Sequence, residues 1–151
     1  MSLLFVLPIS LSAVMLCLSD FKSRYVSLKN LLAYTISAAL YGTASYGISL
    51  MLVYATIGGC LSIILFGLIC CYFRLKEGKG CKVVDVKIGQ GDLYFFLSSS
   101  LVFEPATLLV LYVVSGLTGL IFHCVSRKDE IPLIGVSVPW VILYIIIQMF
   151  L

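Results

Sequence analysis

The stretch SSSLVFEPATLLV, Ser98 to Val110, lies inside an apolar tract from Leu93 to Val125 in which Glu104 is the one residue among Asp, Glu, Lys and Arg. Read as one helix, the tract is a single long membrane crossing. Read as two, broken at Glu104 and Pro105, it is a short helix followed by a full one. Proline is favoured in a helix's first turn and an acidic residue suits a helix N-terminus, so the pair marks a helix start. The charges elsewhere decide the same way. Every Lys and Arg falls into one of three segments: Lys22, Arg24 and Lys29; Arg74, Lys76, Lys79, Lys82 and Lys87; Arg127 and Lys128. Only a break at Glu104 puts all three on one side of a membrane, which the positive-inside rule identifies as the cytoplasm, with the N-terminus outside.

Composition leads to the same class. Of 151 residues 62% are hydrophobic and 11% charged, and the mean hydropathy of +1.15 lies far outside the range of soluble domains. Apolar segments run approximately over Leu3–Ser19, Leu31–Gly47, Ile48–Phe73, Leu93–Phe103, Pro105–Val125 and Ile131–Leu151. At roughly 20 residues per crossing, the expectation is an all-α polytopic membrane bundle of about six transmembrane helices, one domain over residues 1–151. No Lys or Arg precedes the first apolar segment and no small-residue cleavage pattern follows it, so it reads as a retained span. Cys17, Cys60, Cys70, Cys71, Cys81 and Cys124 form no CxxC pair, which argues for packing rather than a zinc site or disulfide framework. No cofactor or metal is expected.

The division at Glu104 leaves the fourth span about a dozen residues, roughly 18 Å against a hydrocarbon core of about 30 Å. Asp92 at its start is thus expected below the inner membrane surface, bordering a small aqueous cavity. Gly89 and Gly91, on either side of Gln90, permit a turn or a close helix approach there. Asp20 ends the first span at the same membrane level. A carboxylate at membrane depth costs about 2.5 to 3.5 kcal/mol on insertion scales, so two at one level call for an explanation. One is an aspartic protease dyad, in which two carboxyls share a proton, one drawing a proton from an attacking water and the other donating to the scissile carbonyl. The other is that each aspartate caps a helix at a hydrated interface.

These residues resemble a known family, the type IV prepilin peptidases, which are GxGD aspartic proteases of bacterial inner membranes. GQGD, Gly89 to Asp92, matches the second catalytic motif; DFKSRYVS, Asp20 to Ser27, is similar to the first; EIPLIGVSVPW, Glu130 to Trp140, looks like the late Ile-Pro-x-x-Gly-Pro segment. The resemblance implies that Asp20 and Asp92 are the catalytic pair, with Gly89, Gln90, Gly91 and Arg24 shaping the site. It implies a prepilin or pseudopilin precursor as substrate, with the active site near the cytoplasmic face of a bacterial inner membrane. Ser27 and Leu28 depart from the usual Pro and Asn, Tyr94 stands where many members have lysine, and Val136 replaces the late proline. The paired CxxC region of the larger, methylating members is absent, so the chain is similar to the minimal peptidase core of Flp or Tad pilus systems.

Ala55 and Gly59, and Ser115 and Gly119, form small-xxx-small pairs suited to close packing, with Gly58 on the same face as the first. Tyr41, Tyr46 and Trp140 read as interfacial or packing aromatics. His123 reads as a helix-end residue and Glu104 as an outer loop residue. The Arg74 to Lys87 loop suits anionic lipid headgroups, or the admission of a substrate. Nothing suggests nucleic-acid binding, since the basic residues lack interleaved aromatic platforms. A scaffold or transport component is the alternative to the enzyme; the acids near one face and the lack of an internal repeat argue against a transporter.

Overall fold

The computed structural model describes residues 3–23, 26–77, 89–126 and 132–150. Arg24, the loop lysines Lys79, Lys82 and Lys87, the pair Arg127 and Lys128, Cys81 and the side chain of His123 lie outside the described residues. The described chain is helical: α1 (Leu3–Ser23), α2 (Leu28–Tyr46), α3 (Ile48–Glu77), α4 (Gln90–Ser99), α5 (Pro105–Ser126) and α6 (Leu133–Phe150). Each expected span has its helix, and the break at Pro105 is real: the Glu104 carbonyl accepts the Leu108 N–H at 2.9 Å, the first bond of α5.

Several boundaries differ from expectation. Helix α1 continues to Ser23 and α3 to Glu77, because Lys22, Arg74 and Lys76 in their last turns complement the negative helix ends. Asp20 therefore sits within the last turn of α1 rather than at its end. Helix α4 starts at Gln90 and stops at Ser99, short of the expected Phe103. The serine run explains the stop. Ser99 Oγ bonds back to the Phe95 carbonyl at 2.8 Å and Ser100 Oγ to the Leu97 carbonyl at 2.6 Å, competing for the acceptors of the last turn. The chain then tightens into three-residue spacing, Leu101 N–H to the Ser98 carbonyl and Val102 N–H to the Ser99 carbonyl.

Four helices, α1, α3, α5 and α6, are long and apolar enough to cross a membrane. The other two depart from the expectation of six such spans. Helix α4 has ten residues, about 15 Å. Helix α2 has 19 but carries Lys29, Asn30, Thr35, Ser37, Thr43 and Ser45.

Packing accounts for both. Helix α1 packs on α2 and α6, α6 on α5, α5 on α3, and α3 on α2, closing a ring, while α4 packs within it against α2, α3 and α6. Phe95 and Phe96 of α4 are 0% and 2% exposed. Phe95 stacks on Tyr34 of α2 at 5.3 Å, and Phe96 meets Phe66 of α3 and Tyr112 of α5. The polar residues of α2 serve the same contact: Tyr34 Oη lies 3.0 Å from Ser99 Oγ and Thr35 Oγ1 2.7 Å from Ser98 Oγ. A half-length helix with polar side chains is acceptable at membrane depth because protein, not lipid, surrounds it.

The outer surface is the reverse of a soluble protein's. Leu4, Leu7, Leu11 and Leu18 of α1, Ile63, Ile64 and Leu68 of α3, and Val113, Leu117 and Leu120 of α5 are exposed, while Ser12, Ser62, Ser99, Ser115 and Ser137 are buried. This is the pattern of helices solvated by hydrocarbon. On the face of Ala55 and Gly59, Gly58 makes a close approach: a Cβ there would lie 2.7 Å from Ser100 Cβ and 2.9 Å from Leu108 Cδ2. Tyr41 is a packing residue, 1% exposed. Successive helices alternate in direction. One end of the bundle gathers Tyr46, Tyr54, Phe103 and Tyr144, with Tyr46 Oη donating to the Val102 carbonyl at 3.2 Å. The other end collects the C-termini of α1, α3 and α5 and the N-termini of α2, α4 and α6, and with them Lys22, Lys29, Arg74 and Lys76.

Candidate active site

At the basic end, three helix termini converge, and two of them carry an aspartate. Asp20, in the last turn of α1, is 6% exposed. Its Oδ2 accepts the backbone N–H of Gly135, on α6, at 2.7 Å.

Asp92 stands at the third position of α4, after the N-cap Gly89. Its backbone N–H donates to the Gly89 carbonyl at 3.1 Å, and its carboxylate lies beside the N–H groups of Gly89 and Ile134. A carboxylate beside the N-cap amide occupies the acidic place of a capping box. Asp20 and Asp92 are close enough for their charges to act on each other.

The first turn of α6 explains why both carboxylates come here. A helix N-terminus leaves its first amides without intrahelical partners. In α6 the Pro132 carbonyl accepts the Val136 N–H at 3.0 Å, so Pro132 takes the N-cap place and Leu133, Ile134 and Gly135 are the first three helical residues. A proline has no side-chain acceptor to offer, and the acceptors come instead from other helices: Asp92 on Ile134, Asp20 on Gly135. The positive end of the helix suits both anions.

Small residues make this convergence possible by absence of a Cβ rather than by unusual torsions. Gly89 has φ −67° and ψ 137°, a conformation open to any residue, and among the described residues the positive-φ glycine is Gly47, at 77°. Of the two roles expected of these glycines, a turn or a close approach, the structure shows close approach. A Cβ on Gly89 would lie 3.2 Å from Asp92 Oδ2, and one on Gly91 would lie 3.3 Å from both Cβ and Cγ2 of Val26. Gln90 opens α4 and is exposed; Arg24 lies outside the described residues. Tyr94 is 52% exposed.

The Glu130 to Trp140 segment stands out in the sequence, yet its motif assigns none of its residues to the site. Ile134 and Gly135 join it through backbone amides, which no side-chain motif reveals; the one local signal is a proline three residues before a glycine at a helix start. Phe21, next to Asp20, lies over Gly135 and packs edge-on to Phe122 at 6.1 Å. Pro139, inside α6, has no N–H for the Gly135 carbonyl, and Cys17 Sγ approaches that oxygen at 3.5 Å. An apolar groove of about 370 Å³ runs between α1 and α6, lined by residues including Cys17, Leu18, Val138 and Pro139; neither aspartate lines it. No family model, curated protein or solved structure matches the chain.

Proposed function

We propose that this chain is a membrane aspartic endopeptidase that removes the leader of type IV pilin-like precursors at the cytoplasmic face of a bacterial inner membrane. The observation that carries the reading is the meeting of two carboxyls from α1 and α4 at the end of the bundle that carries Lys22, Lys29, Arg74 and Lys76. A helix cap needs one acceptor; two acids, Asp20 buried and Asp92 partly buried, brought to successive amides of one turn make a pair. The resemblance of GQGD and of the Asp20 segment to the prepilin peptidases supplies the substrate class.

In the reaction one carboxylate takes a proton from water as the water oxygen attacks the scissile carbonyl carbon, and the protonated partner donates to the carbonyl oxygen. The tetrahedral intermediate collapses with cleavage of the C–N bond, the amine nitrogen taking up a proton from the dyad. A precursor with its apolar helix in the bilayer and its leader in the cytoplasm presents the junction at the level of the pair. The cleaved segment binds unwound, since helical peptide bonds are internally paired. Lipid surrounds the bundle, and no nucleic acid takes part.

The second reading, a non-enzymatic scaffold or transport component, has one observation in its favour: each aspartate does cap a helix N-terminus. Co-expression with prepilins of the same genome and mass determination of the pilin N-termini separate the two. Asp20→Asn and Asp92→Asn should each abolish leader removal with insertion intact, and the double variant should be no worse than either, because both serve one step. Near-normal processing by either single variant leaves the capping role alone.

A further inference from the structure

Gly135 is fixed from three directions. Its N–H is bonded to Asp20 Oδ2 at 2.7 Å. Its carbonyl, left without a helical donor by Pro139, faces Cys17 Sγ at 3.5 Å. Its Cα is covered by the Phe21 ring, so that a Cβ would stand 2.6 Å from Cε2 and 2.9 Å from Cδ2. The neighbouring amide, Ile134, lies beside the Asp92 carboxylate. Phe21 and Cys17 belong to the same helix as Asp20, so α6 is keyed to α1 by a ring, a thiol and a carboxylate around one glycine.

Two carboxyls on separate helices have no inherent spacing. Small rigid shifts of α1 against α4 would change it, and a misplacement of about 1 Å at reacting groups costs roughly 100-fold in rate. Successive amides of one helical turn do have a spacing, with a rise of about 1.5 Å between residues. We infer that the first turn of α6 is the bracket that sets the distance and orientation of the two carboxyls, with Gly135 as the positioning residue for Asp20. The inference rests on the reading of Asp20 and Asp92 as the catalytic pair, and it accounts for the composition of the Pro132 to Pro139 segment. Pro132 leaves the first amides to the acids, Gly135 admits Phe21, and Pro139 opens the carbonyl to Cys17.

The direct test replaces the Gly135 residue by glycolate, which exchanges the N–H for an ester oxygen and adds no side chain. Losing a hydrogen bond to a charged group should lower kcat about 10- to 100-fold, with KM within about twofold, because the bond positions a reacting group rather than the substrate. A second pair works through space. Gly135→Val should lower kcat by about 100-fold or more, and Phe21→Ala in the same chain should restore much of the loss by making room for the added methyls.

Rates are expressed per folded enzyme, from the monodisperse fraction in detergent. An ester variant with wild-type kcat overturns the bracket, as does a loss that vanishes once folded enzyme is counted, or a Gly135→Val defect that Phe21→Ala leaves untouched. Asp20→Asn and Asp92→Asn in the same assay separate this from failure of the protease reading. If they are inactive while the ester variant is normal, only the bracket falls. If they cleave, the dyad falls and takes the bracket with it.

Discussion

At Gly91 a single missing carbon decides whether α4 can bring Asp92 to α6. The backbone there is ordinary helix, so alanine or valine is conformationally allowed, and the obstacle is Val26 at 3.3 Å from the position a Cβ would take. Gly91→Val should therefore impair cleavage while the protein still inserts, and Val26→Ala should recover part of the activity, read from the mass of the processed pilin. If Val26→Ala brings no recovery, the defect is one of backbone conformation and the close-approach explanation is wrong. Gly47 offers the contrast. At φ 77° and ψ 159° it occupies a region essentially reserved for glycine, and nothing lies within 4 Å of a Cβ built on it. Gly47→Ala should lower stability by about 1 to 3 kcal/mol through backbone strain. Thermal unfolding in detergent measures the loss, and cleavage per folded enzyme should stay unchanged, since Gly47 lies at the opposite end of the bundle from the aspartates.

Helix α4 is the element on which the arrangement turns, and it is held by ring packing and hydroxyl contacts rather than by length. Tyr34 supplies two of them, the stack on Phe95 and the hydroxyl bond to Ser99 at 3.0 Å. Tyr34→Phe keeps the ring and removes the hydroxyl, so it should cost about 0.5 to 1.5 kcal/mol of stability, near the lower figure if the average of about 0.6 kcal/mol for bonds inside membrane bundles applies. Gly58→Leu should do more. Its side chain meets Ser100 and Leu108 together, forcing α3 away from α4 and α5, and because α4 carries Asp92 the substitution should reduce both thermal stability and leader cleavage. Unchanged stability in Gly58→Leu would mean that α3 does not press on α4 as closely as these distances imply.

For the molecule as a whole, ring closure by five helices around a sixth explains how so apolar a chain carries a cluster of hydroxyls. Hydroxyls of α2 and α4 pair with one another inside the ring and Ser62 of α3 pairs with Tyr112 of α5, while Leu, Ile and Val residues beyond those of the core face outward. Sidedness is testable from outside. Reporters fused after Lys29, Lys82 and Lys128 should all be cytoplasmic, and one near Glu104, which is exposed at the end opposite the aspartates, should be external. A cytoplasmic Glu104 would overturn the alternation of basic loops on which the orientation rests.

The helices and their order followed from hydropathy, charge and one Glu-Pro pair, because apolar runs and helix-start chemistry are local properties. The site is legible only in part. GQGD pointed to Asp92 and the end of the first apolar run to Asp20, yet nothing local states that the two meet. Two limits lay in the physics. The true length of α4 depended on serine hydroxyls choosing backbone acceptors over continued helix, and on α2 supplying partners that made a short buried helix acceptable. The binding of both carboxylates depended on backbone amides of α6, which every sequence possesses and which become selective only when a helix start, left uncapped by Pro132, is folded against the ends of α1 and α4.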